Sequence, residues 1–436
     1  MLDFARWSLF LIGHVGIWAF LFNRSHSTAM IRSIRKASER AAILVVTLPA
    51  IWIAVRILTL GSIGFDTVLG DGWFCSYAAV CSICGSLLTI AWAIRKIKFR
   101  LPKKVKSTNR QILDLRNELK APIYHGTLPK LLEKIPFNEC HKLSLQNMEF
   151  ELEMPKNLAG LKICHLSDLH YTGQIDIGYF QRVIAEVNRF DPDLVVITGD
   201  IVDSTDCLEW ISETLGQIQA KSKAGIYYVL GNHDRRVGDE QKLRQLLSSA
   251  GMVQASGTWH DIQWNGATIR ITGTALPWFY DSKRLGPEPD SACDLKILLS
   301  HSPDQIGWAV QHQADLMFAG HTHGGQISLP IIGPVIAPSY YGVTFASGTF
   351  DINGTLMHVS RGLSGDESIR IGSPPELGCF SLTANPQATE SKPVLNQKGS
   401  LDTAMVQSKN QLEGRKSVKP IAARMKKINQ SKMTVG

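Results

Sequence analysis

Cysteine pairs, which mark disulfide frameworks and zinc cages, are almost absent from this sequence. The 436 residues include 8 cysteines, and these are scattered along the chain apart from the single pair in Cys81-Ser82-Ile83-Cys84. One Cys-x-x-Cys pair without a second pair is a poor zinc site, and this one lies inside an apolar stretch. The sequence therefore predicts neither a disulfide scaffold nor a zinc cage. Cys164 and Cys293 flank strand-like segments and are expected to be small core residues.

Charged residues are also scarce, at 19% of the chain, whereas 44% of the residues are hydrophobic and the mean hydropathy is near zero. This balance is high for a purely soluble protein and indicates a membrane portion. The net charge of +8 is unevenly distributed: residues 1–110 have 15 Lys and Arg against 4 Asp and Glu, residues 385–436 have 10 against 3, and the middle has 21 against 31. Because a nucleic-acid-binding core needs a basic surface, the acidic middle argues against a nucleic-acid partner.

Three apolar stretches near the N-terminus each approach the ~20 residues that cross a bilayer core. They cover residues 7–22, 41–64 and 74–94, so we interpret residues 1–96 as a membrane anchor with three transmembrane helices. The first stretch is short, and a signal peptide is the alternative for it. However, no small-x-small cleavage site followed by a soluble segment precedes the second stretch.

The basic residues beside these stretches predict the orientation of the chain. Lys and Arg are concentrated between the first and second stretches and again after the third, whereas the segment between the second and third contains Asp66 and Asp71 and no basic residue. Basic segments are retained on the cytoplasmic side of a membrane. We therefore expect a multi-pass membrane protein whose N-terminus is outside and whose catalytic domain is cytoplasmic.

Residues 97–140 are basic and interrupted by prolines, and we interpret them as a juxtamembrane linker with a short helix over 111–120. Between residues 141 and 384, strand and helix patterns alternate, which is typical of a layered α/β domain. Strands are predicted at 141–154, 161–166, 194–198, 226–230, 267–272, 296–300, 315–319, 341–346, 355–360 and 378–382, and helices at 177–190, 208–219 and 240–250. Residues 385–436 are polar, rich in Lys and poor in aromatics, and predict a basic disordered tail.

Residues of metal-ligand type follow the ends of five predicted strands. Taken in chain order, they are Asp168 and His170, Asp200 and Asp203, Asn232, His233 and Asp234, His301, and finally His321 and His323. Strand ends of this kind converge on a ligand crevice in open α/β sheets. Each run is weak evidence alone, but together they offer more ligands than one ion takes, so we infer two ions that share a carboxylate. Such a pair can activate water and bind phosphate oxygens. Gly199, Gly231 and Gly320 precede ligands and are expected to let the backbone turn sharply.

The ordered set D-x-H, G-D-x-x-D, G-N-H-D, a lone His and G-H-T-H resembles the calcineurin-like metallophosphoesterase superfamily over about residues 142–384. The runs Gly324-Gly325-Gln326 and Ser360-Arg361-Gly362 resemble its membrane-linked phosphodiesterase branch. The resemblance implies an α/β fold, an αββα sandwich of two mixed sheets with flanking helices. Here that sandwich would follow the three transmembrane helices.

The resemblance also implies roles for individual residues. One metal would bind Asp168, His170, Asp200 and His323, and the other Asp200, Asn232, His301 and His321, so that Asp200 bridges the two. His233 would be catalytic, either as the proton donor to the leaving oxygen or as a stabiliser of transition-state charge. Asp203 and Asp234 would orient imidazoles or the loop backbone behind the ligands.

Three arginines near these runs, and one aromatic segment, have two open interpretations. Arg235 and Arg361 are candidates for binding the phosphate of the substrate, as is Arg236, and a surface or packing role is the alternative for each. The aromatic segment at residues 276–280 would either hold an apolar part of the substrate or form a small satellite core.

The expected function is that of a membrane-anchored hydrolase that uses two divalent ions, such as manganese, iron or zinc, to cleave a phosphodiester or pyrophosphate bond. Its substrate would be lipid-linked or nucleotide-linked, since a membrane tether gains most when the substrate is also in the membrane. One alternative is a phosphomonoesterase of the protein phosphatase type, which the same metals would support. The other is a non-catalytic binding module on the same fold, and the complete ligand set argues against it.

Overall fold

The computed structural model describes residues 2–27, 32–70, 72–98, 100–119, 122–220, 224–280, 285–365 and 367–385. The predicted tail at 385–436 lies outside these residues beyond its first position. By its internal contacts the chain divides into Met1–Ala388 and Thr389–Gly436, and all of the described residues belong to the first unit.

Helices and strands alternate along most of the described chain. Its α-helices are α1 (Leu2–His26), α2 (Arg32–Leu60), α3 (Phe65–Leu69), α4 (Trp73–Lys98), α5 (Thr127–Leu132), α6 (Ile177–Phe190), α7 (Trp210–Glu213), α8 (Glu240–Ser249) and α9 (Ile306–Gln311). Its strands are β1 (Val105–Asp114), β2 (Lys142–Leu152), β3 (Lys162–Leu166), β4 (Leu194–Thr198), β5 (Gly225–Val229), β6 (Val253–Gln254), β7 (His260–Trp264), β8 (Ala267–Thr274), β9 (Leu295–Ser300), β10 (Leu316–Ala319), β11 (Ser328–Leu329), β12 (Gly333–Pro334), β13 (Gly348–Ile352), β14 (Thr355–Val359) and β15 (Glu376–Ala384). Short 3₁₀ turns include Thr205–Cys207, Leu215–Gln217, Asp234–Val237, Pro303–Gln305, His323–Gly325 and Gly342–Phe345.

Three of these helices are long and apolar enough to cross a membrane. The candidate spans, Leu2–Ser25 in α1, Ile43–Leu60 in α2 and Phe74–Ile97 in α4, coincide with the three predicted apolar stretches. The first is longer than predicted because it includes Arg6, whose guanidinium lies 2.5 Å from the carboxylate of Asp66. Arg6, the charged residue just before the predicted stretch, is therefore neutralised by an ion pair with Asp66.

Helices α1 and α4 pack side by side and run in the same direction. Phe10 of α1 lies beside Phe74 of α4, with 6.3 Å between ring centroids, while Gly16, further along α1, lies beside Leu88. A Cβ on Gly13 would lie 1.7 Å from a carbonyl oxygen of α4, so only glycine permits this approach. The C-terminal ends of α1 and α4 consequently lie on the same side of the helix pair.

The rest of the described unit is built on two mixed sheets. The first has the strand order β1-β2-β15-β3-β4-β5-β6 and the second the order β13-β14-β10-β9-β8-β7. Strands β3, β4 and β5 are parallel to one another, as are β8, β9, β10 and β14. Strands β11 and β12 form a separate two-stranded hairpin.

Alternating side chains on these strands build an αββα sandwich. In β4, Leu194 and Val196 join the apolar cluster between the two sheets, whereas Val195 and Ile197 join the cluster beneath α6 and α8. A third cluster joins the outer face of the second sheet to α9. Successive side chains of one strand therefore point into two different apolar layers. The predicted fold class is confirmed.

Helix α6 illustrates how local sequence determines an element of this sandwich. The side chain of Asp176 caps its first turn by accepting a hydrogen bond from the backbone N–H of Gly178 at 2.8 Å. Side chains spaced three and four residues apart, among them Phe180, Val183 and Val187, are buried against the first sheet. Its predicted bounds, 177–190, agree with the structure, because the capping residue stands directly before the first residue of the apolar periodic pattern.

The structure differs from three of the predicted elements. Residues 105–114 form strand β1, so the helix predicted over 111–120 is wrong; this polar, exposed strand is stabilised by pairing with β2 rather than by burial. The strand predicted at 341–346 is a 3₁₀ turn in which Gly342 has φ 57° and Phe345 packs into the outer cluster. The helix predicted at 208–219 is interrupted at Thr214, which is buried and lies 2.6 Å from the hydroxyl of Tyr171.

Strand β1 leads us to expect that the globular domain begins near residue 101 rather than at 141. A soluble variant that begins at Leu101 keeps nine residue pairs between β1 and β2, and one that begins at Pro122 loses them. At roughly 0.2–1 kcal/mol per cross-strand pair, we expect the shorter variant to melt at least about 5 °C lower. Thermal unfolding followed by circular dichroism measures this, and equal melting temperatures would contradict it.

Candidate metal centre

The carboxyl ends of five parallel strands meet at one edge of the sandwich. Loops after β3, β4 and β5 of the first sheet face loops after β9 and β10 of the second, and these loops contain all of the predicted metal ligands. Groups of donor atoms that could hold an ion lie within 4.8 Å of one another: Asp168, His170 and His323; His170, Asp200 and His233; Asp200, His301 and His321.

One group converges around the Nε2 atom of His301. Its distances are 3.2 Å to a carboxylate oxygen of Asp200, 3.1 Å to Oδ1 of Asn232 and 3.1 Å to Nδ1 of His321. On its other side, Nδ1 of His301 donates to the carbonyl oxygen of Thr198 at 2.7 Å, which leaves Nε2 directed at the group. These four residues are the predicted ligands of one ion.

The other group lies around Asp168, where Nε2 of His323 is 3.6 Å and Nε2 of His170 is 4.0 Å from the same carboxylate oxygen. The Nε2 atom of His170 is also 3.7 Å from Oδ2 of Asp200, the oxygen that lies 3.2 Å from His301. One carboxylate oxygen is thus close to a histidine of each group. This is the position that the sequence assigns to a bridging ligand.

The donor set fits divalent ions. Donor atoms that share an ion at roughly 2.1 Å lie about 3.0–3.4 Å apart, and the separations around His301 fall in that range. The Nε2 atom of His170 is buried and has no hydrogen-bond partner among the described residues. Burial lowers the pKa of His301, but the carboxylates of Asp200 and Asp168 outweigh it and raise that pKa to about 9. The group therefore has an excess of buried negative charge that a cation would neutralise.

Asp203 connects a predicted ligand to the predicted catalytic histidine. Its carboxylate accepts from Nδ1 of His170 at 3.0 Å, from Nδ1 of His233 at 2.8 Å and from the guanidinium of Arg236 at 2.7 Å. Burial acts to raise the pKa of Asp203, but the neighbouring His170 and His233 hold it well below its usual range. One ionised carboxylate therefore sets the ring orientation of both histidines.

Asp234 holds the backbone of two adjacent loops. Its two carboxylate oxygens accept from the N–H groups of Asp200 at 3.0 Å, Ile201 at 2.8 Å, Val202 at 3.0 Å and Gly231 at 2.7 Å. Burial and the charge of Asp200 raise the pKa of Asp234, against the effect of these backbone donors. The position of Asp200 is thereby linked to the loop that contains Asn232 and His233.

The ligand loops have unusual backbone conformations. Five predicted ligands lie in the left-handed region, with φ between 47° and 73°: Asp168, His170, Asp200, His321 and His323. For a residue with a side chain this costs on the order of 1–3 kcal/mol, and such strain is concentrated at functional sites. The surrounding hydrogen bonds must therefore maintain these conformations.

The glycines before the ligands have two different roles. Gly199 turns the backbone as predicted, with φ 84°. Gly231 and Gly320 do not have positive φ; they are required for space, because a Cβ on Gly231 would lie 2.2 Å from Oδ1 of Asp200 and one on Gly320 would lie 1.8 Å from Oγ of Ser167. Close packing of the loops, which a single sequence does not reveal, explains these two positions.

His233 lies at the partly open edge of the centre, with 14% of its side chain exposed. Its backbone N–H donates to Oδ1 of Asp200 at 2.7 Å, and its Nε2 lies 3.2 Å from the guanidinium of Arg236. Asp203 and Arg236 thus hold the ring, and Asp200 holds the backbone of the same residue. Arg236 therefore contacts both Asp203 and His233, and its predicted role in binding a phosphate stays a prediction.

Arg361 is not available as a phosphate ligand in this structure. Its guanidinium lies 2.8 Å from the carboxylate of Glu376 and donates to the hydroxyl of Ser144 and the carbonyl oxygen of Pro374, both at 3.1 Å. Burial acts to raise the pKa of Glu376, but Arg361 and His358 outweigh it and lower that pKa to about 2. The guanidinium is thus engaged in an ion pair with the buried Glu376, and its predicted role in substrate binding stays a prediction.

Arg370, which the sequence did not indicate, supports the loop of His323. The guanidinium is fully buried and donates to the carbonyl oxygens of Arg361, Ser364, Ser373 and His323, and it lies 3.2 Å from Nδ1 of His323. Burial and the nearby His170 and Arg370 keep the pKa of His323 well below its usual range, so its ring is neutral as a metal ligand must be. No local motif marks this arginine.

A cavity of about 350 Å³ lies beside the centre. It is lined by Asp234, Arg235, Gly238, Glu240, Trp278, Phe279 and Tyr280. The Trp278 ring is 4.8 Å from the ring of His321 and 5.3 Å from that of His301, while Tyr280 is 57% exposed. Trp278 and Phe279 are buried, as the satellite-core alternative predicts, and Tyr280 lies at the rim of the cavity, where contact with a substrate stays a prediction. Arg235 is exposed at that rim.

With this geometry established, comparison with known proteins identifies the domain. The family described as calcineurin-like phosphoesterase matches residues 161–325, the segment that contains every predicted ligand. The chain carries a calcineurin-like metallophosphoesterase domain. The predicted enzyme class, a metal-dependent hydrolase, is confirmed at the level of this family.

The chain has named relatives that include a phosphodiesterase, a transmembrane protein and a pyrophosphatase. It is 29% identical to phosphodiesterase YaeI of Escherichia coli over 52% of this chain and 83% of that protein. It is 31% identical to a transmembrane protein with metallophosphoesterase domain of Danio rerio, over 47% of this chain and 50% of that protein. It is 25% identical to the UDP-2,3-diacylglucosamine pyrophosphatase LpxG of Chlamydia trachomatis, over 51% of this chain and 85% of that protein. The three apolar helices and the transmembrane relative together indicate a membrane protein.

The geometry around Asp203 predicts a specific defect in Asp203→Asn. The amide can accept on one atom only, so His170 and His233 cannot both donate to it, and we expect metal affinity to fall roughly 10–100-fold. Metal titration of the full-length protein, with elemental analysis after dialysis, measures this. Asp206→Asn, a change at an exposed acid three residues away, is the matched control and should bind metal like the wild type. Equal affinities for all three proteins would contradict the role of Asp203.

Proposed function

We propose that this protein is a membrane-anchored phosphoesterase that uses two divalent ions to hydrolyse a phosphodiester or pyrophosphate bond. The observation that carries the proposal is the position of Asp200, whose Oδ2 lies 3.7 Å from Nε2 of His170 and 3.2 Å from Nε2 of His301. A carboxylate shared by two donor groups is what a two-metal hydrolytic site requires.

In this proposal, one ion is held by Asp168, His170, Asp200 and His323, and the other by Asp200, Asn232, His301 and His321. Divalent ions in such a site supply Lewis acidity toward phosphoryl oxygens and activate water. Because the ligands are oxygen and imidazole nitrogen without thiolate, manganese, iron and zinc are all compatible.

His233 is the group that would donate a proton to the leaving oxygen. Its Nδ1 lies 2.8 Å from Asp203, so that Nε2 is the nitrogen left to carry the transferred proton, and 14% of the side chain is exposed. The guanidinium of Arg236 lies 3.2 Å from that nitrogen, and because it can only donate, it would turn from a protonated Nε2 to the phosphoryl group, where it would add positive charge. Proton donation of this kind contributes about 10²–10⁴-fold to the rate.

The names of two relatives and the membrane helices support the bond type and the substrate class. One relative is named a phosphodiesterase and another a pyrophosphatase of UDP-2,3-diacylglucosamine, a nucleotide-linked acylated sugar. A tether that holds the domain at a membrane is most useful when the substrate is in the membrane too. We therefore propose a lipid-linked phosphodiester or pyrophosphate as the substrate, with the domain on the cytoplasmic side because the flanking segments are basic.

The first test compares the wild type with Asp200→Ala and His233→Asn. We expect Asp200→Ala to lose bound metal and activity together, because both donor groups lose their shared oxygen. His233→Asn should keep its metal and lose about 10²–10⁴-fold in kcat. Elemental analysis and hydrolysis of bis-para-nitrophenyl phosphate measure the two effects on full-length protein.

The same assay separates the phosphodiesterase from the phosphomonoesterase alternative. We expect kcat/KM to be higher for bis-para-nitrophenyl phosphate than for para-nitrophenyl phosphate, and the reverse order would favour the monoesterase. Activity in Asp200→Ala equal to that of the wild type, in protein with the same melting temperature, would refute the proposed metal site.

The cavity beside the centre predicts a role for Arg235 in substrate binding. Its exposed guanidinium would pair with a phosphate or sugar group of the substrate, so Arg235→Gln should raise KM roughly 10–100-fold with little change in kcat. Arg189→Gln on α6, where the side chain is 69% exposed, is the matched control for loss of one surface charge. A fall in kcat without a change in KM would assign Arg235 to the chemical step instead.

A further inference from the structure

The chain that follows the last predicted ligands exposes a large apolar area. Its side chains Ile327, Leu329, Ile331, Ile332 and Ile336 are 41–80% exposed, and we call residues 327–336 the apolar hairpin because they contain the paired strands β11 and β12. Ile331, the most exposed of them, lies at the tip. A two-stranded hairpin is marginally stable in water, and exposed apolar patches of this kind mark protein or membrane contacts.

A second apolar segment adjoins the hairpin through residue 371. Ile371 forms one bridge with Ile327 of the hairpin and another with Asn138, at the end of the segment that begins with α5. In that segment Leu128 is 54%, Leu131 61% and Phe137 83% exposed. The exposed lysines Lys130 and Lys134 lie among them. Apolar side chains interspersed with lysine are typical of segments that lie in a membrane interface.

The hairpin is continuous with the membrane helices. The indole N–H of Trp92 in α4 donates to the carbonyl oxygen of Ile332 at 3.2 Å. The side-chain oxygen of Asn23 in α1 accepts from the backbone N–H of Ala337 at 2.9 Å, and the guanidinium of Arg24 lies 4.3 Å from the ring centroid of Tyr340. Because α1 and α4 are parallel, these contacts are at the same end of both helices. Tyr340 and Tyr341, 45% and 42% exposed, are residues that favour the headgroup level.

The hairpin is also packed tightly against the loop of His323. A Cβ on Gly325, two residues after this ligand, would lie 2.4 Å from Cβ of Pro334 and 2.7 Å from the carbonyl oxygen of Ile336. Arg370, whose guanidinium donates to the carbonyl oxygen of His323, precedes Ile371 directly. The exposed apolar residues are therefore rigidly linked to the metal centre.

We propose that the apolar hairpin, together with Leu128, Leu131 and Phe137, inserts into the bilayer leaflet that lies at the C-terminal ends of α1 and α4. The occupant of this surface is lipid, because the surface is continuous with two membrane helices and is bordered by tyrosine, lysine and arginine. The metal centre is then held at headgroup level and takes a phosphoester whose apolar chains remain in the bilayer. The catalytic consequence rests on the proposed function, whereas the insertion does not.

Lipid photolabelling tests the insertion without reference to activity. Full-length protein is reconstituted in vesicles of equal phosphatidylcholine and phosphatidylglycerol that contain phosphatidylcholine with an acyl-chain diazirine, and the labelled peptides are identified by mass spectrometry. We expect labels in residues 327–336 and 128–137 as well as in the membrane helices, which serve as the positive control. Val253, 38% exposed on β6, is the apolar control that should remain unlabelled. Labelled helices with an unlabelled hairpin would overturn the proposal, and cross-links between hairpins of two copies would assign the surface to self-association instead.

A variant with Ile331→Asp and Ile332→Asp tests the catalytic consequence. Both side chains are exposed at the hairpin, so we expect the melting temperature to be unchanged and labelling of residues 327–336 to be lost. Hydrolysis of a diacyl phosphodiester in vesicles should fall about tenfold or more, because two apolar side chains no longer enter the bilayer, while hydrolysis of soluble bis-para-nitrophenyl phosphate stays within about twofold. Val253→Asp is the control for an added surface charge.

The outcomes separate this inference from the proposed function. In a variant that keeps the wild-type melting temperature, hydrolysis of the vesicle and the soluble substrate could fall equally, or neither could fall. Either result would contradict the inference that the substrate reaches the metal centre from the bilayer. If the wild type hydrolyses neither substrate, the proposed function fails, and the labelling result still decides the insertion.

Discussion

The buried carboxylate of Asp234 is the interaction on which the geometry of the centre depends. Four backbone N–H groups from the loops after β4 and β5 donate to it, so two strand ends are held at one separation by one side chain. This contact therefore fixes the position of Asp200 relative to His233, two residues with different proposed roles. A shift of either loop would leave backbone donors buried without acceptors, which costs about 1–3 kcal/mol for each group.

The same arrangement places negative charge where water is excluded. Asp168 and Asp200 are both buried, and histidine rings and backbone N–H groups surround them, together with the hydroxyl of Ser167, which donates to Asp168. The raised pKa of His170, to about 9, follows from the same balance: burial lowers this pKa, and the carboxylates of Asp203, Asp200 and Asp168 more than compensate. A divalent cation at this position would interact with the same carboxylates and would have to displace those protons, so its binding would release protons and weaken as the pH falls.

Much of the fold and the ligand set could be predicted from the sequence, for a physical reason. The strands at 194–198 and 296–300 are apolar runs that end in polar residues, and that local pattern directly reflects burial followed by a strand end. Strand β1, the ion pair of Arg361 and the contact of Arg370 with His323 could not be predicted, because each depends on residues outside its local segment: β2, Glu376 and a carbonyl group 47 residues away. The need for glycine at Gly231 and Gly320 could not be predicted either, because a side chain there would clash only with residues of a neighbouring loop.

Loop packing also explains why a membrane contact and a metal ligand can be parts of one mechanism. Residues 323–331 run from a predicted ligand to the tip of the apolar hairpin, and Gly325 packs against Pro334 on its second strand. Because the packing of this loop is dense, it fixes the distance between the hairpin and His323, which Arg370 and the carbonyl of Ser364 hold in place. Insertion of the hairpin would therefore set the height of the metal centre above the bilayer without changing the positions of its ligands, so that only a substrate held in the bilayer would depend on it.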